Sequence, residues 1–124
     1  MTNTIRIGET GHVTLEGRTF ELEKSTHHHG KPFTECERDC PQGWTLPTYW
    51  LLQGVRNSEH RDYFNLLETH EYVQQPDNIS RETGTIASFD AGSDALRQLV
   101  CNWVQNYSAP ALGVRYVREV PKSP

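Results

Sequence analysis

Apolar and polar residues alternate with a period of two across residues 11–23, where Val13, Leu15, Phe20 and Leu22 are separated by polar neighbours and Glu16-Gly17 stands at the midpoint. A strand that buries one face and wets the other has that period, and a turn-forming pair at its centre predicts a β-hairpin. Residues 24–43 lose the rhythm and carry three consecutive histidines, two glycines and two prolines, which predicts a long ordered loop. At Leu46-Pro47-Thr48 the spacing changes. Tyr49, Trp50, Leu52 and Val55 can share a helical face through to Arg56, with Pro47 suited to the first helical position. Ser58-Glu59, followed by Tyr63, Phe64, Leu66 and Leu67, predicts a second helix of about three turns.

Residues 74–84 read as a polar connection, and 85–89 as a strand running into the turn Asp90-Ala91-Gly92-Ser93. From Asp94 onward, Leu96, Leu99, Val100, Trp103 and Val104 recur at i, i+3, i+4, i+7 and i+8, with Ser93 available as N-cap. That pattern predicts an amphipathic helix over 94–106. Leu112, Val114, Tyr116 and Val117 then form a β-rich run before Pro121, which predicts a closing strand over 111–120. No internal repeat is visible.

A length of 124 residues points to one domain over 1–124 with one core, and 1–10 and 121–124 read as flexible or arm-like ends. The net charge is −4, from twelve basic against sixteen acidic residues, and no basic face is clustered. Phosphate neutralisation, and so nucleic acid as a partner, is not expected. Arg56 and Arg61, and Arg115 and Arg118, each have acidic neighbours and read as solvated surface. With 35% hydrophobic residues and a mean hydropathy of −0.71, no stretch reaches the length of a membrane span. The first residues lack the apolar run of a signal peptide, so cytoplasmic synthesis is expected, with a virion as a further location. Three cysteines, Cys36, Cys40 and Cys101, are an odd number, which suits reduced thiols better than a secreted disulfide framework.

The segment Cys40-Pro41-Gln42-Gly43-Trp44-Thr45-Leu46-Pro47-Thr48 resembles the signature that opens the first helix of bacterial and phage C-type-lectin-like domains of the Fibrobacter major paralogous type. Gly113-Val114-Arg115-Tyr116-Val117-Arg118 is similar to their final strand, and the hairpin of residues 11–22 falls where their first strands lie. The resemblance implies an α+β fold, C-type-lectin-like, with two or three helices packed on a curved antiparallel sheet with long loops. It also implies strands and loops, in place of a helix, over 94–106. In the family the motif cysteine commonly pairs with a cysteine of the last strand. Tyr116 stands at that place here, so Cys40 has no evident partner. The residues of the motif have their own physical reading. Gly43 permits a tight turn, Trp44 is a large anchor and Pro47 starts a helix, so Cys40, Gly43, Trp44, Pro47, Trp103 and Tyr116 are expected to be structural.

Three groups can be weighed for chemistry. Gln75-Pro76-Asp77-Asn78 resembles the calcium and galactose motif of animal C-type lectins, whose amide and carboxylate oxygens suit Ca²⁺. The downstream oxygen donors of that site are reduced here to Cys101-Asn102-Trp103, and a polar turn is the preferred reading. His27 and His29, with Cys36 and Cys40, are of zinc-ligand type, but three adjacent histidines point in different directions and the preferred reading is a surface loop. No cofactor is expected, with Ca²⁺ or zinc as the lesser alternatives. No motif joins a nucleophile, a base and an orienting group. Cys101 falls within the predicted 94–106 helix, and His60 beside Glu59 and His70 beside Glu71 read as helix-surface residues.

Tyr72, Gln75, Asp77, Asn78 and Tyr107 lie in polar segments and are the candidate contact residues. The combined expectation is a non-catalytic binding or assembly module, a homo-oligomer with a protein partner, in the version of a phage particle component: a capsid decoration, or a tail or receptor-binding protein that meets capsid or tail proteins or a host surface. Glycan is a further partner. The alternatives are a small inhibitor that binds a host enzyme or defence complex, and a zinc-supported protein or enzyme.

Overall fold

The structure, a computed structural model, describes residues 7, 9–74, 85–93, 95–100 and 112–121. Its fold is α+β, with two short helices and two small sheets. The predicted hairpin is present as β1 (Thr10–Leu15) and β2 (Arg18–Glu23), paired antiparallel from Thr10↔Glu23 to Leu15↔Arg18. Glu16 and Gly17 both have left-handed φ, 50° and 78°, the two-residue turn whose twist matches that of the flanking strands. Strand β7 (Val117–Val120) adds to the other side of β2, so the first sheet has the order β1-β2-β7.

The second sheet has the order β5-β4-β3-β6, formed by β3 (His70–Tyr72), β4 (Thr85–Asp90), β5 (Ala95–Val100) and β6 (Leu112–Gly113). Its pairs are antiparallel except β3 with β6. The helix predicted over 94–106 is therefore corrected: 95–100 is a strand, in six-residue register with β4 from Thr85↔Val100 to Asp90↔Ala95. The resemblance anticipated a strand here and the periodicity did not. Residues 95–100 carry no clean period of two, since the polar Gln98 stands between Leu96 and Val100 and Leu99 falls out of step, and the ladder with β4 is what makes them a strand. Residues 101–106, with Trp103, lie outside the described residues.

The predicted loop over 24–43 contains a short helix, α1 (Phe33–Arg38), with Pro32 at its N-cap and Phe33 and Cys36 buried. The helix after the motif is α2 (Tyr49–Arg56). Its N-cap is Thr48, whose Oγ1 accepts from Leu51 N at 3.1 Å, so Pro47 stands one position before the cap and not at the first helical position. Leu51, Leu52 and Val55 turn inward.

The second predicted helix is absent, because residues 58–68 form a run of turns with Asn65 at φ 56°. The hydrogen bonds there mix three spacings: Arg61 N to Ser58 O, Phe64 N to His60 O and Leu66 N to Arg61 O. Phe64 and Leu66 are buried while Tyr63 and Leu67 are exposed. Anchoring both alternate residues in the core is incompatible with a helix, whose residues two apart point to opposite sides.

Two apolar clusters result. One joins Val13, Phe20 and Leu22 of the hairpin to α2, Phe64, Leu66, Phe89 and Val117. The other joins Phe33 and Cys36 of α1 to Leu46, Tyr72, Leu112, Val114 and Tyr116, with Cys40 and Trp44 packed against it. Among the described residues no helix is long and apolar enough to cross a membrane.

Candidate functional site

The motif segment is stitched into place from both sides. Thr45 N donates to Val117 O at 2.8 Å and Val117 N returns a bond to Thr45 O at 2.9 Å. On the other side Gln74 donates from its backbone N to Pro47 O at 2.8 Å and from Nε2 to Leu46 O at 2.7 Å. Upstream, Trp44 N bonds Pro41 O across Gly43, whose φ of 89° only glycine adopts without strain, and this turn carries the chain from α1 into the motif. The half-buried Trp44 lies under the Arg118 guanidinium, 4.7 Å from the ring centroid.

A cleft lies on each side of the Thr45–Leu46 strip. The first, of about 520 Å³, has a floor of Phe20, Leu46, Leu51 and Val117 and a wall formed by Trp50. Trp50 is 39% exposed and meets Phe20 edge-on at 6.1 Å between centroids. Arg18 lies over both rings, at 5.1 and 5.7 Å, and is held by Glu119 through two bonds of 3.1 and 2.9 Å. The second cleft, of about 640 Å³, lies between α1 and the motif, lined by Phe33, Glu37, Cys40, Pro41 and Trp44. Both volumes fall within the range of about 300–1,000 Å³ usual for ligand clefts.

Behind the second cleft a chain of polar groups runs from β2 to the end of α1. Glu23 Oε1 accepts from Tyr116 N at 2.7 Å and lies 2.6 Å from His27 Nε2. His27 Nδ1 lies 2.6 Å from His28 Nδ1, and His28 Nε2 is 3.0 Å from Asp39 Oδ2. His28 adopts φ 59°, an uncommon conformation for a side chain of its size, and this turns its ring back onto its neighbour. The bond from Arg38, with help from His28, holds the Asp39 carboxyl below its usual range. Gly113 backs the histidine loop so closely that a Cβ there would stand 2.7 Å from the His29 ring.

The predicted zinc set is not assembled. His27 is engaged with Glu23 and His28, His29 Nε2 lies 2.8 Å from Thr26 Oγ1, and no three His, Cys, Asp or Glu side chains among the described residues form a metal-holding group. Burial pushes the Cys36 thiol up to about 12 and the Cys40 thiol up to about 11. Cys36 and Cys40 are free thiols. Tyr116 is fully buried and donates from its hydroxyl to Cys36 O at 2.6 Å. Burial, the largest cause, pushes its phenol well above the ordinary value.

Two further expectations are corrected. Tyr72 offers no contact surface, since it is wholly enclosed, packs on Phe33 and donates its hydroxyl to Lys31 O at 3.3 Å. Arg115 and Glu71, read as surface, are both fully buried and joined at 2.8 Å. Arg115 also donates to Glu23 O, Lys24 O and Phe64 O, tying the hairpin end to the turns of 58–68. Of the other contact candidates, Gln75, Asp77, Asn78 and Tyr107 lie outside the described residues.

Glu23, His28 and Asp39 were not singled out in the sequence, and Arg115 and Glu71 were named there only as surface residues and not as a pair. Alternation places Arg115 on the wet side of a strand, whereas Val114, Arg115, Tyr116 and Val117 are all buried because the strand is interrupted between β6 and β7. No local signal marks Glu23 or Asp39, which meet the histidines only through tertiary folding. Neither a family model nor a curated protein matches this chain.

Proposed function

We propose that this protein is a non-catalytic recognition module that seats a segment of a protein partner, or a glycan, in the cleft walled by Trp50. The observation that carries this reading is Trp50 itself. It is a large aromatic side chain left 39% exposed at the mouth of an apolar concavity, whereas Phe20, Phe64, Phe89, Tyr72 and Tyr116 are buried; Tyr63 is as exposed but lines neither cleft. Indole faces supply large contact area at low entropic cost, and they stack on both apolar side chains and sugar rings. The cleft floor belongs to strands β2 and β7, to helix α2 and to the stitched motif, so the binding surface is held in shape before a partner arrives, which lowers the cost of association.

The version suggested by the motif resemblance is a particle component, a capsid decoration or a tail protein, present as a homo-oligomer. The test is binding by the intact chain to a glycan array and to purified capsid and tail assemblies, with Trp50→Ala as the comparison. A loss of about 30-fold, equivalent to about 2 kcal/mol, is expected at unchanged melting temperature. Binding that is indifferent to Trp50→Ala overturns the assignment of the cleft. Binding that requires Ca²⁺ and is abolished by Asp77→Ala moves the site to residues 75–78.

A further inference from the structure

The sheet β1-β2-β7 has two edges, and the chain treats them differently. Outside β7, Val117 exchanges both of its backbone bonds with Thr45, so the motif covers that edge where it begins. Outside β1 no described residue pairs. The phase of the hairpin decides which groups are left there, because facing residues of an antiparallel ladder alternate between pairs that exchange both backbone bonds and pairs that exchange none. The two-residue turn makes Leu15↔Arg18 a bonded pair, and the bond from Lys24 N to Glu9 O at 2.8 Å fixes the same phase at the other end. Gly11, Val13 and Leu15 therefore turn their N–H and C=O groups to β2, while Thr10, His12 and Thr14 turn theirs outward. The Thr10 carbonyl accepts from the Tyr63 hydroxyl at 3.2 Å. His12 and Thr14 are exposed, and their backbone groups have no partner among the described residues. Edge strands are commonly blocked by charge, proline or a bulge. Thr10–Leu15 holds no Lys, Arg, Asp, Glu or Pro, and its register with β2 runs without a bulge.

We infer that this edge is the interface of a symmetric dimer, in which β1 pairs antiparallel with β1 of a second copy around a two-fold axis at Val13. Backbone, apolar surface and charge each select a second copy of this chain. That register sets His12 against Thr14 of the other copy and Thr14 against its His12, so every open N–H and C=O of both residues is bonded at once and the two sheets become one. It also sets Gly11 against Leu15 of the other copy. The Tyr63 ring lies under Gly11, where a Cβ would stand 2.7 Å from it, and is 41% exposed, while Leu15 is only partly buried in one copy. Each Leu15 is then carried onto the other copy's Tyr63, which covers apolar surface that a single chain leaves wet. The same register places Glu16, the acidic residue of the hairpin turn, opposite Thr10 of the other copy. There the Lys24 ammonium stands 5.0 Å from the Tyr63 ring centroid and 3.9 Å from Glu9, and it meets the incoming carboxylate.

The inference deepens the homo-oligomer of the proposed reading by naming its interface. It uses the sheet edge opposite β7, so it stands whether or not the Trp50 cleft proves to be a binding site.

The test is sedimentation of the full chain between about 10 μM and about 1 mM, the range in which a small interface associates, with amide exchange followed in parallel. A reversible monomer–dimer equilibrium is expected, and protection of the His12 and Thr14 amides that grows with concentration. His12→Pro and Thr14→Pro each remove an outward N–H and spare the ladder with β2, at positions where an edge strand tolerates proline. Each is expected to weaken the dimer at least about tenfold, because the symmetry deletes a bond from both copies, with the melting temperature of the monomer unchanged. The wild type supplies a measurement that needs no variant. In a mixture of isotope-labelled and unlabelled chains, an NMR cross-peak between the Val13 Hα protons of the two copies is expected, since the facing residues at the axis are the close, unbonded pair. One monomeric species throughout the range overturns the inference. So does a dimer without the Val13 contact, or protection of His12 and Thr14 only when a capsid or tail assembly supplies the strand. A monomer that still binds through Trp50 defeats the interface and leaves the cleft, whereas a dimer that binds nothing there does the opposite.

Discussion

The interior around Arg115 and the rim around Arg18 are both held by an arginine–glutamate pair, at 2.8 and 2.9 Å, and they represent opposite physics. Arg115 and Glu71 have no exposed side-chain surface, whereas Arg18 and Glu119 are 53% and 46% exposed. Separation is therefore not what distinguishes them. The interior pair has lost its water, so each charge depends on its partner and on the carbonyls of Glu23, Lys24 and Phe64; the rim pair exchanges one set of solvated contacts for another. Glu71 bonds Arg115 through one carboxylate oxygen, and the other has no hydrogen-bond partner among the described residues. A buried pair is a connector whose value lies in what its removal leaves behind.

The comparison can be broken most forcefully at Arg115. Arg115→Met is expected to cost about 3–5 kcal/mol in chemical denaturation, because it strands a buried carboxylate, and Arg115→Met with Glu71→Leu is expected to recover a large part of that loss. A double variant no more stable than the single one would show that the carbonyl contacts, not the charge pair, carry the region.

Next in size is the thiol contrast across the second cluster. The Cys36 thiol, pushed up by burial to about 12, is neutral in the folded state, so its contribution is complete below the unfolded thiol range and is lost as pH rises toward that value. Native protein at about pH 9 is expected to alkylate at Cys36 at least ~100-fold more slowly than unfolded protein, as read by mass spectrometry of the modified peptide.

A smaller effect belongs to the rim. The Thr10 hydroxyl, 2.6 Å from Glu21, and then Arg118 hold the Glu21 carboxyl below its usual range. That contribution is present above the unfolded carboxylate value and lost as pH falls through the lowered one. Thr10→Val is expected to move the acid unfolding midpoint slightly upward, followed by circular dichroism. Smallest of all, Arg18→Met is expected to leave the denaturation midpoint unchanged within error and to raise the accessibility of Trp50 to fluorescence quenchers.

How far the fold can be foreseen depends on where the information lies. Val13, Leu15, Phe20 and Leu22 announced the hairpin because a two-residue turn leaves its pairing local, and Leu52 and Val55 announced α2 because they lie one turn apart, while its cap at Thr48 and its inward Leu51 came from the structure. Residues 95–100 misled because their partner strand imposes a period that six residues do not declare. Residues 58–68 misled because Phe64 O is drawn to Arg115, fifty-one positions away. Of the two clefts, the motif strip between them was visible, while the Trp50 wall came from where α2 lands on the hairpin.

By itself, then, the amino-acid order determined the hairpin, the helix α2 without its cap, the tight turn at Gly43, a strand over 85–89 and a mixed strand-and-helix class. Each depends on neighbours a few residues apart, whose geometry the backbone dictates directly. Only the tertiary structure decided that Arg115 and Glu71 go inside, that Tyr72 is enclosed, and that Glu23, His27, His28 and Asp39 form one line. A charge enters the interior only when its counter-charge and carbonyl partners arrive from distant segments, and no local pattern records that meeting.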